Sequence, residues 1–404
     1  MYKKIPIDKL RPGMHVEAIA DQKGKERLKQ KGHISSNEGI ERLRQAGVIS
    51  VIIDTARTRE QSESPDSELV SNQPSSKTQQ QTSMSDAKRL ASFSENVSKA
   101  RELYNRAKEL QKQAMGALQK DEALNLDSFK EMSESLVDSL FSDQDAILCA
   151  TMIRNKDEYL LEHSINVSIL MAAFGRHLEL PEQDIRDLAL GAFLHDIGKI
   201  KVDDAILMKP GKLTVEEFDE MKRHVEYGLE AVEGLAGLPP IAREVIALHH
   251  EKLSGDGYPK QLPADDINQY GRMATIVDCY DAITANRCYK DGELSAKAFK
   301  ILLAESGTHF DYQLVGQFIK CMGVFPVGSL VELKSGRLGM VLRANKRNPL
   351  RPMIKVFYNL RGEHFIEAKD IDLGRSYETD EIERGRRAEN LNIDLPRFFD
   401  DFLV

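Results

Sequence analysis

Histidines accompanied by carboxylates are the residues of this chain best suited to chemistry. They lie in separate segments whose apolar residues recur at helical spacing, so the polar groups are carried on helix faces that point towards a core. A single histidine in such a place is usually an ordinary core or surface residue. As a set, however, imidazole and carboxylate groups cost several kcal/mol to bury unless they are paired or bind a cation. A metal cluster would satisfy the whole set, which comprises His163, His195, Asp196, His224, His249, His250 and Asp278.

Imidazole and carboxylate ligands without thiolate suit Fe, Mn, Zn or Ni, and the adjacent His195 and Asp196 allow the carboxylate to bridge two ions. Two ions about 3.5 to 4 Å apart share a water, lower its pKa and contact both the attacking and the leaving oxygen of a displacement at phosphorus. We therefore predict phosphoester hydrolysis. Cations suited to neutralising phosphate oxygens occur at Lys199, Arg287 and Lys290. Lys199 taken alone is equally well explained as a solvated lysine at a helix end.

The elements that must position these residues form a mainly α protein. Apolar residues recur at helical spacing from about residue 123 to residue 322, which predicts an all-helical catalytic domain. Alternating segments near the start predict a small α+β unit, and short strands separated by Gly, Asn and Pro turns predict a β unit after Pro326. The predicted domains are 1–58 (α+β), 59–86 (flexible Ser/Gln-rich linker), 87–325 (helical, with a long leading helix) and 326–404 (β unit and charged tail).

The long leading helix, over about residues 90–118, carries a narrow apolar stripe. Its apolar residues, among them Phe93, Val97, Ala100 and Ala107, follow steps of three and four. Such a stripe needs another helix to cover it. Packing within the chain and a homodimer contact between two chains are both consistent with the pattern.

Composition excludes several other classes of protein. The 404 residues contain 56 Lys plus Arg against 64 Asp plus Glu, a net charge of -8, which argues against a protein that coats nucleic acid. The four cysteines show no paired short spacing, so neither a disulfide framework nor a thiolate zinc site is indicated. No secretory signal and no apolar run long enough for a membrane span are visible. We expect a soluble, cytoplasmic protein without a membrane partner.

Three motifs then identify a family resemblance. HDIGK at 195–199, HHEKLSGDGYP at 249–259 and IVDCYDAITANRCYK at 276–290 resemble, in this order, the HD-GYP family of metal-dependent cyclic di-GMP phosphodiesterases. The resemblance covers roughly residues 145–325. The N-terminal unit, with KLRPGMHV near its start, resembles a domain of unknown function common in front of HD-GYP domains.

The resemblance implies roles for particular residues. The seven histidines and aspartates named above fall on the family's metal-ligand positions, with Asp196 bridging. Lys199, Tyr258, Arg287 and Lys290 fall where the family contacts substrate, and the stretch 209–218 is expected to cover the pocket. The implied reaction is attack by a metal-bridging hydroxide on cyclic di-GMP to give pGpG, with a second cut to GMP as a further step. Asp196 would orient the water, and Lys199 would stabilise the oxyanion.

One departure from the family pattern bears on the number of ions. Some members carry a glutamate four residues before the first histidine, which supplies a third metal site, whereas Tyr159 stands there in this chain. Glu158 and Glu162 are out of that register on a helix. We therefore predict two divalent ions, with Fe or Mn favoured over Ni or Zn.

Three alternatives remain for the function. The substrate could be another cyclic dinucleotide, such as a mixed guanine-adenine one. The chain could instead be a sensor that binds cyclic di-GMP with negligible turnover. It could also be an interaction protein whose GYP surface docks on diguanylate cyclase (GGDEF) domains, a role compatible with catalysis.

Overall fold

The computed structural model forms two compact units, Glu95–Ser329 and a second unit made of Met1–Ser94 with Leu330–Val404. The residues that it describes are 2–12, 14–22, 32–34, 40–41, 43–44, 47–54, 77–152, 158–286, 291–376, 378–388, 391 and 393. Among them, no helix combines the length and apolar character needed to cross a membrane.

In the unit Glu95–Ser329, the described residues form helices joined by turns and loops. The long helix α1 runs over Lys77–Leu118 and so continues into this unit. The helices that follow are α2 (Leu126–Ser142), α3 (Gln144–Ala150), α4 (Tyr159–His177), α5 (Glu182–Leu194), α6 (Asp204–Leu207), α7 (Val215–Lys222), α8 (His224–Val232), α9 (Pro240–Leu248), α10 (Gln269–Thr284), α11 (Ser295–Ala304) and α12 (Tyr312–Met322). Short 3₁₀ turns occupy Ile197–Lys201 and Ala264–Asp266.

Asparagine and aspartate set the starts of several of these helices. The side chain of Asn125 accepts a hydrogen bond from a backbone N–H in the first turn of α2, and Asp143 does the same for α3. Asn268 and Asp311 cap α10 and α12 in the same way. Each cap satisfies a backbone donor that has no partner inside the helix, which favours these residues at helix starts.

The core of the helical unit joins α2, α4, α5 and α12. The rings of Phe129 and Phe193 lie 4.9 Å apart, and those of Phe174 and Phe318 lie 5.2 Å apart. A Cβ at Gly191 would lie 2.7 Å from the Ala242 Cα, so α5 and α9 approach as closely as two backbones can. This close packing holds the ends of α5 and α9 next to each other.

Helix α1 begins earlier than predicted. The sequence favoured a flexible linker over 59–86, but α1 starts at Lys77; residues 59–76 lie outside the described part of the chain. Residues 77–89 include three Gln, two Lys and one Arg, which have good helix propensity and allow the helix to extend. Val97, Ala100 and Ala107 are fully buried within one chain, so covering this stripe requires no second copy.

The other unit carries two antiparallel sheets. The first contains β1 (Tyr2–Pro6), β2 (His15–Gln22), β3 (Gly32–His33) and β4 (Val48–Asp54) in the order β1-β4-β2-β3. The second contains β5 (Leu330–Leu333), β6 (Arg337–Arg343), β7 (Met353–Asn359), β8 (His364–Asp372) and β9 (Ile382–Arg386) in the order β8-β7-β6-β5-β9. The predicted fold class, a helical domain with small N-terminal and C-terminal strand units, is confirmed.

Candidate metal centre

Five elements of the helical unit converge on one cluster of histidines and aspartates. The structure brings together all seven residues that were predicted as metal ligands, and six of them form two groups that share Asp196. Within each group, the potential ligand atoms lie within 4.8 Å of one another. One group is Asp196, His224, His249 and His250, and the other is His163, His195 and Asp196. Asp278 joins the second group, because its Oδ1 lies 2.9 Å from His163 Nε2 and 3.7 Å from His195 Nε2.

Three of the histidines stand at helix ends and are oriented by their own turn of helix. His195 Nδ1 lies 2.7 Å from the carbonyl oxygen of residue 192, His224 Nδ1 lies 2.7 Å from that of residue 221, and His249 Nδ1 lies 2.9 Å from that of residue 246. A carbonyl only accepts, so each Nδ1 carries the proton and donates. These carbonyls lie in the last turn of a helix, where a carbonyl has no N–H partner four residues further along the same helix. Each Nε2 therefore presents a lone pair to the cluster.

His163 is held instead by residues far away in the sequence. Its Nδ1 donates to Asp281 Oδ2 at 2.8 Å, and its Nε2 lies 2.9 Å from Asp278 Oδ1. Asp281 is fully buried. Sequence reasoning missed Asp281, although its spacing of three residues from Asp278 on α10 places both carboxylates on one helix face. A carboxylate behind a ligating imidazole fixes the tautomer and the ring orientation.

Unsatisfied atoms show that this cluster fits a cation. Within the part of the chain that the structure describes, His195 Nε2 and Asp196 Oδ1 are buried without a hydrogen-bond partner. In addition, His224 Nε2 and His249 Nε2 face each other at 3.3 Å, although both Nδ1 atoms already carry the proton. Two facing lone pairs and an orphaned carboxylate oxygen are costly when buried unless a cation lies between them. The donor set of imidazole and carboxylate suits a divalent transition metal.

The histidines of the group around His224 are in the protonation state that metal binding requires. Burial lowers the pKa of His224 to about 4 and that of His250 to about 3, and it also lowers the pKa of His249 well below its usual value. At neutral pH these imidazoles are neutral, which is the form that binds a metal. Burial raises the pKa of Asp196, but the neighbouring His195 and Lys199 outweigh this effect and hold that pKa well below its usual value.

On the other side of the cluster, the pKa of His163 is shifted in the opposite direction. Burial lowers the pKa of His163, but the hydrogen bonds to Asp278 and Asp281 outweigh burial and raise the pKa to about 9. A proton on His163 Nε2 thus occupies the position from which that nitrogen would bind an ion.

Lys199 is fixed beside Asp196 by the turn that follows α5. Its Nζ lies 2.5 Å from Asp196 Oδ2. A Cβ at Gly198 would lie 2.1 Å from the His224 carbonyl oxygen and 2.3 Å from the Gly228 amide nitrogen, so only glycine fits there. The glycine of HDIGK therefore lets this turn pack directly on α8 and places the ammonium group of Lys199 at the cluster.

Tyr258 reaches the cluster from a loop that is folded back on itself. Its ring lies 4.5 Å from that of His250. The buried carboxylate of Glu251 accepts hydrogen bonds from two backbone amides of this loop, at Lys260 (2.7 Å) and Leu262 (3.0 Å). A Cβ at Gly257 would lie 2.4 Å from a backbone nitrogen, so the fold-back requires glycine. Glu251, the last residue of HHE, is a positioning residue that sequence reasoning did not single out.

A cavity of about 980 Å³ opens over the cluster. His163, His224, His250, Asp278, Lys199 and Tyr258 line it. Leu213 and Phe218 also line it, in agreement with the expectation that the stretch 209–218 covers the pocket. Arg287 and Lys290, the other predicted phosphate contacts, lie outside the described residues.

The residues around the first histidine agree with the register argued from sequence. Tyr159 stacks on the His163 ring at a centroid distance of 5.5 Å. Glu158 and Glu162 both pair with Lys108 of α1, at 2.6 and 3.5 Å. Their carboxylates are therefore engaged with α1.

Comparison with known proteins gives three family matches and several relatives. An HD domain matches residues 148–314, a domain of unknown function matches residues 2–129, and a KOW domain associated with HD domains matches residues 330–378. A cyclic di-GMP phosphodiesterase from Pseudomonas aeruginosa is 39% identical over 271 residues, which are 67% of this chain and 65% of that protein. A 3′3′-cGAMP-specific phosphodiesterase from Vibrio cholerae is 45% identical over 123 residues, 30% of this chain and 24% of that protein. The chain thus spans less than two thirds of the length of either relative.

A solved structure, that of an HDG"Y"P protein from Bdellovibrio bacteriovorus, matches 79% of this chain and 98% of that one, with a TM-score of 0.48 and 17% identity. The HD domain match contains the whole cluster, and the HDIGK, HHE and GYP motifs lie where its histidines and aspartates converge. The chain therefore contains an HD domain.

Proposed function

We propose that the chain is a metal-dependent phosphodiesterase that hydrolyses cyclic di-GMP to the linear dinucleotide pGpG. The observation that carries this proposal is the pair of donor groups sharing Asp196 at the floor of a cavity that Lys199 also lines. The name of the Pseudomonas aeruginosa relative, a cyclic di-GMP phosphodiesterase, supports the choice of substrate.

The two donor groups would hold two divalent ions, Fe or Mn by preference over Ni or Zn. His163, His195 and Asp278 would serve one position, His224, His249 and His250 the other, and Asp196 would contribute to both. When bound, such a pair supplies Lewis acidity and an activated water for displacement at phosphorus. Tyr159, which stands where some family members have glutamate, supports two ions rather than three.

The chain's own groups would bind and orient the phosphate. The Lys199 ammonium group would neutralise a non-bridging oxygen as negative charge develops in the transition state. Burial, aided by Asp278 and Asp196, raises the pKa of Tyr258, so its phenol keeps its proton and can donate a hydrogen bond to substrate. Arg287 and Lys290 remain predicted substrate contacts. Water adds to one phosphorus while the bond to the 3′ oxygen breaks, which opens the ring.

A second cut to GMP is part of the proposal. The linear product still holds one phosphodiester, and the same cationic groups could bind it. The two steps are separated by following pGpG and GMP over time by chromatography.

The test is hydrolysis of cyclic di-GMP by anaerobically purified protein whose metal content has been measured. We expect two metal ions per chain, with Fe, Mn and Ni compared as the added metal. Replacing both His195 and Asp196 by alanine should abolish turnover under metal-replete conditions. The exposed His177, near the end of the α4 helix that carries His163, supplies the matched control, because His177→Ala should leave metal content and turnover unchanged. Retained turnover in the double variant would contradict the proposal, and a third fully occupied ion would contradict the binuclear assignment.

A mixed guanine-adenine cyclic dinucleotide is the second candidate substrate. The specific observation in its favour is the Vibrio cholerae relative, which is named for 3′3′-cGAMP and is 45% identical over the matched segment. Comparing kcat/KM for the two cyclic dinucleotides at matched metal loading decides between them. Tight binding without any product would instead favour the sensor alternative.

The predicted protein partners extend this proposal. Tyr258 lines the cavity, which supports its role in substrate binding. Docking of diguanylate cyclase domains on the GYP surface and a homodimer through residues 90–118 stay predictions; pull-down with a Tyr258→Ala variant and sedimentation velocity test them.

A further inference from the structure

One wall of the cavity is the end of helix α1, which carries none of the family motifs. Three residues at the end of α1 and the residue directly after it line the same cavity as the metal centre: Lys112, Met115 and Gly116, and then Gln119. Their spacing of three, four and seven residues places them on one face of the helix. This face adjoins the buried stripe of α1, so packing of the stripe against the helical unit fixes the orientation of the wall.

The size of the cavity exceeds what the metal centre and one phosphate group occupy. Its volume of about 980 Å³ lies at the upper end of the range typical of ligand sites. The histidines and aspartates with Lys199 account for the phosphate that reacts. A cyclic dinucleotide carries a second phosphate and two bases, and these must also meet protein groups inside the cavity.

The side chains of the α1 wall are suited to binding the second phosphate and a base of the cyclic dinucleotide. Lys112 is exposed and makes no ion pair among the residues that the structure describes, so its ammonium group is available to an anion. The Gln119 amide can both donate to and accept from the edge of a base. The Met115 side chain offers a soft apolar surface on which an aromatic base can lie.

Gly116 adds independent support. Glycine inside a helix destabilises it relative to alanine. A Cβ at this position would meet no atom within 4 Å, so no close packing requires glycine here. What the missing side chain leaves is open space on the cavity wall between Lys112 and Gln119.

We propose that Lys112, Met115, Gly116 and Gln119 form the subsite for the half of the cyclic dinucleotide that is not being cleaved. In this subsite Lys112 pairs with the phosphate that is not being cleaved. The open space at Gly116 admits the base on that half of the cyclic dinucleotide. The inference rests on the proposed function and specifies how the enzyme tells a cyclic dinucleotide from a smaller phosphodiester.

Two substrates separate this inference from the proposed function. Cyclic di-GMP needs both halves of the cavity, whereas bis(p-nitrophenyl) phosphate, a small phosphodiester, needs only the metal centre. Lys112→Ala should raise KM for cyclic di-GMP about fivefold, with kcat little changed, because an ion pair near the surface contributes modestly. Lys120→Ala is the matched control, since Lys120 is exposed near the same helix end but does not line the cavity.

A large side chain at Gly116 tests the same subsite, because it would occupy the space proposed for the base. Gly116→Phe should raise KM for cyclic di-GMP by about tenfold or more, whereas Lys120→Phe, which lies outside the cavity, should bind as the natural chain does. Turnover of the small phosphodiester by each variant should stay unchanged, which also shows that the variant is folded and metal-loaded.

Unchanged KM for cyclic di-GMP in both Lys112→Ala and Gly116→Phe would overturn the inference alone. If the natural, metal-loaded chain cleaves neither cyclic di-GMP nor the small phosphodiester, the proposed function is overturned, and the subsite with it. Direct titration of the variants with a phosphorothioate analogue of cyclic di-GMP gives a second readout, in which the loss of affinity should match the rise in KM.

Discussion

Replacing Asp281 by asparagine tests whether the cluster depends on the carboxylate behind His163. Asp281 Oδ2 accepts a hydrogen bond from His163 Nδ1 at 2.8 Å, and both side chains are buried. Asparagine has nearly the same shape and keeps one acceptor oxygen, so the change removes the charge and leaves the packing intact. We expect weaker metal binding with little loss of fold.

The magnitude follows from the burial of this pair. His163 and Asp281 are 2% and 0% exposed, so solvent does not screen their interaction. A hydrogen bond to a charged group contributes about 1.5 to 3 kcal/mol, and charged bonds are roughly twice as strong as neutral ones. Replacing the charged bond by a neutral one should therefore cost about 0.75 to 1.5 kcal/mol, which raises the metal dissociation constant by up to about tenfold. Asp281→Ala removes the acceptor entirely, and we expect about hundredfold, the upper end for such outer partners.

The assay is competitive titration of metal-free protein with Mn²⁺ against a fluorescent chelator. Asp311→Asn provides the control, because Asp311 caps α12 and pairs with Arg272 outside the metal centre. It should lower the midpoint of thermal unfolding while leaving metal affinity unchanged. The reasoning is refuted if Asp281→Ala binds Mn²⁺ as tightly as the natural chain does.

Three further predictions concern the supports of the site. Gly198→Ala should lower the free energy of unfolding by about 3 kcal/mol in denaturant titration, because the alanine Cβ would overlap the His224 carbonyl. Gly116→Ala should raise the free energy of unfolding by up to about 1 kcal/mol, because its Cβ would contact no other atom. Glu251→Gln should raise KM for cyclic di-GMP about fivefold with a smaller change in kcat, since one charged acceptor holds two amides of the loop that carries Tyr258. Chelation should lower the thermal midpoint, and adding metal at about a hundredfold excess over its dissociation constant should restore about 2.7 kcal/mol of stability for each ion bound.

The sequence predicted the helical domain because apolar residues recur at short-range helical spacing. It predicted the convergence of the histidines and aspartates from the cost of burying them unpaired and from the motifs that contain them. Apolar residues at helical spacing place His195 and His249 at helix ends whose neighbours are buried. Asp281 and Glu251 were missed even though they stand inside recognised motifs. Their roles depend on what they touch across the fold: Asp281 meets a histidine 118 residues away, and Glu251 holds a loop by backbone contacts.

The start of α1 and the role of its cavity-facing side were both hard to predict, for different reasons. Composition rich in Ser and Gln is typical of a linker, yet the same residues permit a helix once the segment beyond them is anchored, as the start at Lys77 shows. The apolar stripe indicated which face of α1 would be buried. It carried no information about the face of Lys112 and Gly116, because lining a cavity leaves no periodic apolar signal.

The hydrogen bonds from three histidines to carbonyls three residues earlier have a consequence for the order of assembly. For His195, His224 and His249, ring orientation and tautomer are set within a single turn, so these ligands are prepared as soon as each local helical segment forms. His163 differs, because its two partners lie 115 and 118 residues further along the chain. The donor group around His224 and His249 is therefore assembled by docking α5, α8 and α9, whose histidines are already oriented, whereas the position at His163 can be completed only when α4 and α10 have docked.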